Sequence, residues 1–331
     1  MAKATTYSVG SSGGNREDLT DIIKMVDIEK YPLCSLIPSG PKPAATYHEY
    51  NMDELGNVST AGDVEGADVE SFNDQSVNRV RAGNYVMGLT EPWSVSEEQE
   101  LVSTAGVASE VARAKDFAVR KLKRKIEVQI GSDDDRNAGD GSTARVSRAL
   151  GDFIDSSGPS DVNSKYRTPS ASINATATGS LSEANFNAVL QSVYEAGGTN
   201  SMALIAGPNL TKAVANFTRI TGTGAFSTYH LTQDMTSHKM DLKVALYQGP
   251  FNIISIAPTV YNGRASETAA TAQSKARGYI IDTELLQINY LTKPYGNELE
   301  NQGGGRRGYN RARYALSALN PKGLGKFNAT S

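Results

Sequence analysis

The chain has 331 residues, 39% of them apolar and 7% aromatic, with 31 glycines and a formal net charge of −3. That length suffices for one large domain or two of medium size. The composition excludes a membrane-spanning helix, because no run approaches the ~20 apolar residues needed, and a nucleic-acid binder acting through bulk charge.

A single cysteine, Cys34, rules out an internal disulfide framework, and the start MAKATTYSVGSSGG lacks the apolar stretch of a secretory signal, so a reducing cytosol is the expected setting. Residues 1–18 are rich in Gly and Ser and read as a mobile arm. Leu19 to Ile28 suits a short helix capped by Asp18 or Thr20. In YPLCSLIPSGPKP, Pro32, Pro38, Pro41 and Pro43 predict an extended course, anchored elsewhere by Leu33, Leu36 and Ile37. Residues 46–52 (TYHEYNM) and 80–95 (VRAGNYVMGLTEPWSV) read as strands, and the stretch 55–78 between them is polar, acidic and Gly-containing. The result is an extended hairpin with a long tip. A two-stranded ribbon is barely stable alone in water, so it must lie against something, and its acidity argues for a basic surface.

From Gly106 to Gly131 the chain reads GVASEVARAKDFAVRKLKRKIEVQIG. Val107, Val111, Ala114, Ala118, Leu122, Ile126 and Ile130 recur at steps of three or four, the stripe of one long helix. It would run roughly 39 Å and stop at Gly131. Its other face carries Arg113, Lys115, Arg120, Lys121, Lys123, Arg124 and Lys125. Such a run is either a solvated face or a surface that meets another chain or a polyanion.

A polar link, GSDDDRNAGDGSTAR, leads to a helix start at 147–154 and a long surface loop over 155–180. Ser182 caps a helix to Ala196 whose apolar side holds Leu181, Phe186, Val189, Leu190 and Val193. MALIA at 202–206 reads as a buried strand, Gly207-Pro208-Asn209 as a turn, and 210–217 as a helix. Residues 218–240 are irregular, and 244–247, 251–257 and 260–261 are strands. This order predicts a compact α/β module over about 147–265. RGYIID and ELLQINYL suggest a strand pair turning at Asp282-Thr283, and 309–319 a last strand.

Charge is segregated along the chain. Glu49 to Glu100 holds twelve acids against two bases, the long helix is basic, and after Glu300 there are only bases. Such a chain can pair with copies of itself, complementary potential setting register and encounter. The candidate contacts between copies are Glu65, Asp68 and Glu70 on the hairpin, its bases Arg79 and Arg81, and Arg120, Arg124 and Lys125 on the helix.

Chemistry is hard to find. Gly10-Ser11-Ser12-Gly13-Gly14 fits G-x-S-x-G literally, but a nucleophile elbow needs a strand before it and a helix after it. A serine hydrolase using Ser12 with His230 or His238 is the alternative from a different class. No H-x-x-x-H or C-x-x-C occurs, and Asp133, Asp134, Asp135 and Asp140 lack the Gly and closing Glu of a calcium loop, which leaves a solvated helix-end loop. GGGRRG at 303–308 and Gly222-Thr223-Gly224 lack the spacing of a phosphate loop and read as turns. No catalytic residue, cofactor or metal is expected.

Arm, acidic hairpin, long helix, α/β module and returning strands, in that order, resemble the major capsid protein of tailed bacteriophages, with the Hong Kong 97-like coat fold. YPLCSLIPSGPKPAATYHEY, NDQSVNRVRAGNYVMGLTEPWSVSEEQ and ARAKDFAVRKLKRKIEVQIGSDDDR are similar to segments of one branch of phage major head proteins. The resemblance implies an α+β fold with an N-terminal arm (1–45), an extended β-hairpin loop (46–95), a peripheral domain (96–146 and 266–331) built on the spine helix 106–131, and an axial α/β domain (147–265). It implies self-assembly into hexamers and pentamers of an icosahedral shell around double-stranded DNA, with the extended loop lying across the adjacent subunit. The partners implied are further copies, a portal, scaffolding or cement proteins, and DNA met without sequence specificity, with no membrane. The place implied is the virion, after assembly in the host bacterial cytoplasm. A nanocompartment shell of the same fold and another phage structural part are the alternatives. Some members cross-link through a lysine of the extended loop; residues 46–95 contain none, and the nearest is Lys42, so a non-covalent shell is expected in that respect.

Overall fold

The computed structural model of the chain describes residues 31–328, except 57, 59, 63, 67, 69–71, 73, 75, 103–105, 159–161, 199–200, 218–232, 235–238, 241–245 and 264–271. The expected arm and first helix, Ser12, Gly222-Thr223-Gly224, His230 and His238 all lie outside the described residues. In chain order the elements are α1 (Pro32–Leu36), β1 (Tyr47–Met52), β2 (Val80–Tyr85), β3 (Met87–Val95), α2 (Glu97–Leu101), α3 (Glu110–Ile130) and α4 (Leu150–Phe153). Then come β4 (Ile173–Asn174), α5 (Glu183–Glu195), β5 (Ser201–Ala206), α6 (Pro208–Phe217), β6 (Gln233–Asp234), β7 (Lys239–Met240), β8 (Leu246–Gln248) and β9 (Ile253–Pro258). The chain closes with α7 (Ala272–Ala276), β10 (Arg277–Ile281), β11 (Leu286–Leu299), β12 (Arg306–Ala318) and β13 (Gly325–Asn328).

Two larger sheets organise these elements: a six-stranded sheet in the order β4-β13-β10-β5-β9-β8, and a three-stranded antiparallel sheet, β11-β12-β3. Strand β5 shows how the larger sheet is covered on both faces. Its side chains alternate, so Met202, Leu204 and Ala206 meet α5 and α6 through Phe186, Val193 and Leu210, while Ala203 and Ile205 face the opposite core. That second core takes Leu122, Ile126 and Ile130 from α3, together with Leu316 and Ala318 of β12. Farther toward its N-terminus α3 puts Val111 and Ala118 against Trp93 of β3. One helix therefore holds the two sheets together, which is why its apolar stripe runs its full length.

Helix α3 starts at Glu110, four residues later than its periodicity predicts, and ends at the expected Gly131. Ser109 is the cap: its Oγ accepts the Ala112 N–H, and the Glu100 carboxylate accepts the Glu110 and Val111 amides. At 1.5 Å per residue the rod is roughly 31 Å long.

Several sequence expectations are corrected. The proline-rich stretch contains the one-turn helix α1, because Pro32 occupies its first position, where no amide is needed. The strand expected over 80–95 breaks at Val86: β2 pairs with β1, and β3 leaves to pair with β12. The strands on either side of Asp282-Thr283 do not pair; β10 lies beside β5 and β13, and β11 beside β12. Residues 277–281 and 325–328, expected in the peripheral domain, thus complete the sheet of the α/β module. Within the loop 155–180, Val162 and Tyr166 are buried against Met52 and Ala82 at the root of the β1–β2 hairpin. All of these corrections but the first depend on contacts remote in sequence, which local pattern does not encode.

Candidate assembly surfaces

Glu54 still meets Lys322 and Asn78 still meets Lys165; between these two residues the hairpin leaves the body. Leu55 is 92% and Phe72 88% exposed, and Val58, Val64 and Val77 are exposed with them. Isolated exposed apolar residues are ordinary, but five on one unsupported segment mark an interaction surface. Glu65 and Asp68 are exposed on the same segment, and among the described residues neither forms an ion pair. Glu70 lies outside the described residues. Arg79 and Arg81 tie the hairpin to itself, Arg79 to Asp53 at 3.0 Å and Arg81 to Glu49 at 3.9 Å. These are exposed pairs that contribute little.

At its root the hairpin is clamped. Asn84 of β2 is fully buried; its Nδ2 donates to Ser147 Oγ and to the carbonyls of Arg148 and Leu316 at 2.7–3.2 Å, and its Oδ1 accepts the Arg148 N–H at 2.7 Å. The Arg136 guanidinium lies over the rings of Tyr47 and Tyr85, one on each strand, 5.3 and 5.9 Å from their centroids. The root is held by these contacts, while the described residues of the tip are exposed.

The basic face of α3 is largely engaged within its own chain. Lys125 Nζ is 2.5 Å from Glu91 Oε2 and donates to the Thr90 carbonyl at 3.0 Å, with Lys121 3.7 Å from the same carboxylate. Arg120 pairs with Asp116 at 2.8 Å, Arg113 with Glu110, Lys115 with Glu298, and the Arg124 guanidinium sits 6.0 Å from the Tyr261 ring. The expectation that the acidity of the hairpin calls for a basic surface beyond it is therefore narrowed. It applies to Glu65 and Asp68 at the tip, whereas Glu49, Asp53, Glu54 and Glu91 are paired internally. The solvated-loop expectation for the three aspartates after the helix is corrected too. Asp133 meets the buried Arg277 and, at 2.8 Å, the buried Lys326, while Asp135 meets the buried Arg148 at 3.0 Å.

The sequence profile of the SU10 major capsid protein family matches residues 3–331. The chain belongs to that family. Its fold is the Hong Kong 97-like fold of tailed-phage capsid proteins, and it is a phage major capsid protein. The capsid chain of a native GTA particle superposes with a TM-score of 0.62 at 15% identity, covering 100% of both chains. That of cyanophage P-SCSP1u gives 0.62 at 9% identity over 95% of this chain and 92% of the other. The mature capsid of bacteriophage PhiM1 gives 0.62 at 11% identity, over 96% and 92%. No sequence relative is found among curated proteins. Membership is in a structural family rather than an enzyme family.

In this capsid protein the residues that fix the arm were not singled out from the sequence. Asn84 lies in a strand whose pattern gives no hint of its three buried acceptors. Arg148 and Asp152 also escaped notice: they form an i, i+4 pair at 2.8 Å, with Asp135 on the other side of the guanidinium. Burial pushes the Asp152 carboxyl up to about 6, and the neighbouring Asp135 adds to this against the pull of Arg148. A raised carboxyl keeps its proton in the folded chain at a pH where the unfolded chain has released it. Its stabilising contribution is complete below the unfolded value near 4 and is lost as pH rises to about 6. Urea unfolding of the unassembled subunit between pH 4 and 6.5 should show a fall of roughly 2 kcal/mol that is missing in Asp152→Asn. Identical pH slopes for the two proteins would refute this assignment.

Proposed function

We propose that this major capsid protein builds hexamers and pentamers of an icosahedral head that encloses double-stranded DNA, the extended loop of each copy resting on a neighbouring copy. The proposed setting is the virion, following assembly in the bacterial cytoplasm, with a portal and scaffolding or cement proteins as further partners. The proposed division is an arm (1–45), the loop (46–95), a peripheral part around α3 and β11–β12, and an axial part around α5, α6 and the six-stranded sheet. One observation carries the reading: a segment that exposes Leu55 and Phe72 almost fully, on a root that is buried and clamped. Free in water, such a tip leaves its apolar area unburied, at roughly 25 cal/mol per Å². Repeated over many copies, modest contacts of this kind close a shell.

Expression of the full chain and negative-stain electron microscopy should show closed, uniform particles. Double-stranded DNA protected from nuclease inside virion-derived particles is the expected content, whereas a packaged enzyme would point to a nanocompartment. A chain that stays monomeric at all concentrations and salts, or that forms only tubes or rings, would overturn the proposal. Deleting residues 55–77 should abolish particles while the subunit still unfolds cooperatively, because no described residue of that span belongs to the two main cores.

A further inference from the structure

The β1–β2 hairpin is held twice, by two different parts of the chain. The first hold is at its base, where Asn84 bonds to Ser147, Arg148 and Leu316 and Arg136 lies over Tyr47 and Tyr85. The second lies farther out. There Val162 and Tyr166, on the loop after α4, are buried against Met52 and Ala82. The Tyr166 hydroxyl donates to the Asn78 carbonyl, Lys165 Nζ donates to Asn78 Oδ1 at 2.8 Å, and Lys322 Nζ pairs with Glu54 Oε2 at 3.0 Å. Asn78 Nδ2 in turn donates to the Glu54 carbonyl at 3.1 Å, so this outer hold takes both sides of the hairpin at one level. Lys322 Nζ also stands 5.6 Å from the centroid of the Tyr166 ring.

What stands behind the two holds differs. The base is tied to Leu316 of β12, in the sheet that packs on α3. Behind the outer hold is α5. Thr168 Oγ1 donates to the Pro321 carbonyl at 2.8 Å, which joins the loop to the turn that carries Lys322. Ser172 Oγ hydrogen-bonds to Ser192 Oγ of α5 at 2.8 Å, and Asn320 Nδ2 donates to the Ala196 carbonyl at the end of α5 at 3.5 Å. Loop and turn thus form one strap anchored on α5, the helix that packs on β5 of the six-stranded sheet. From Asn84 to Val80 is about 14 Å at 3.4 Å per residue. The strap therefore acts on the hairpin as on a lever with its fulcrum at Asn84. A small shift of α5 relative to β12 tilts the hairpin, and the displacement grows toward the tip.

We infer that Tyr166, with Lys165 and Lys322, positions the extended loop, so that α5 and the six-stranded sheet set the pitch at which the loop leaves the subunit. The consequence for the particle rests on the proposed shell function: the pitch of each loop fixes the angle between neighbouring copies, and hence one curvature and one particle size. The chemistry suits positioning more than stability. An exposed ion pair contributes little by itself, but here three polar ties from two chain segments surround one buried ring and leave the hairpin a single direction.

Tyr166→Phe/Lys165→Ala/Lys322→Ala removes the three polar ties and keeps the ring in its pocket. In the unassembled subunit, amide hydrogen exchange at residues 50–52 and 80–82 should quicken about tenfold or more, the scale of losing one or two net hydrogen bonds from a local opening. Residues 83–85, beside Asn84, should keep their wild-type rates, and the urea midpoint should stay where it is. The expressed variant should form particles of several sizes, or open sheets, where the wild type forms one size. Particles of the single wild-type size would overturn the inference, and so would wild-type exchange at 50–52 and 80–82 or an equal rise at 83–85. Loss of all particles with wild-type exchange rates would place the three side chains in a contact between copies and overturn it as well. Absence of wild-type particles would instead overturn the shell function, and the exchange pattern of the unassembled subunit would still decide whether the strap holds the loop.

Discussion

Asn84→Ala should destabilise the subunit by about 3 kcal/mol, a large effect for one side chain. The side chain is fully buried and serves four partners: three acceptors, on Ser147, Arg148 and Leu316, and one donor, the Arg148 amide. Alanine leaves these groups without water or a replacement partner, and an unsatisfied buried polar group costs about 1–3 kcal/mol. Asn84→Asp should be no better. A carboxylate can still accept the Arg148 N–H, but it cannot donate to two carbonyls, and it adds a buried charge beside them. Urea unfolding of the unassembled subunit measures the loss. Amide hydrogen exchange should show residues 80–85 opening ahead of the six-stranded sheet, because β2 carries the root of the arm. A variant within about 0.5 kcal/mol of wild type, the range of an ordinary surface change, would mean that the clamp is not a structural anchor.

Glu127→Ala should cost about as much, again about 3 kcal/mol. Glu127 is a fully buried acid on the apolar side of α3, and its two carboxylate oxygens accept the N–H groups of Leu33 and Cys34 at 2.9 and 2.8 Å. These are amides at the start of α1, where a helix has no internal acceptors of its own. Burial raises both the Glu127 carboxyl and the Cys34 thiol above their ordinary ranges, so the thiol stays protonated and unreactive. Alanine leaves two amides unsatisfied and opens a cavity beside Leu33, which is itself fully buried. Glu127→Gln keeps one acceptor oxygen and turns an NH₂ toward the other amide, so it should fall between, at about 1–2 kcal/mol. The added readout is Cys34. Its labelling by a thiol reagent should quicken in Glu127→Ala, and an unchanged labelling rate with unchanged stability would sink the role assigned to Glu127.

Much of this chain can be read in its pattern. The stripe on α3 is periodic, Gly131 stops it, and Ser182 caps α5 as expected, its Oγ accepting the Asn185 N–H. These are local matters of spacing and capping. The acidic, unsupported tip is equally a property of composition, since no fold buries a segment with so little to bury.

The partner of each charge was decided elsewhere. A lysine on a helix reads as basic surface wherever it stands, but whether it faces solvent depends on which strand is laid across it. Glu91 sits opposite Lys125 only because β3 leaves the hairpin at Val86 and joins β12. The same remote pairing turned Arg307, Arg311 and Arg313 to one open face and buried Asn84 among acceptors up to 232 positions away in sequence. The sequence by itself determined which segments are rigid rods, which is the arm, and where charge accumulates, because those depend on neighbours within a few residues. Only the tertiary structure decided which charges are already neutralised within the chain, because ion pairing falls off within a few ångströms and is set by strands that meet from opposite ends of the chain.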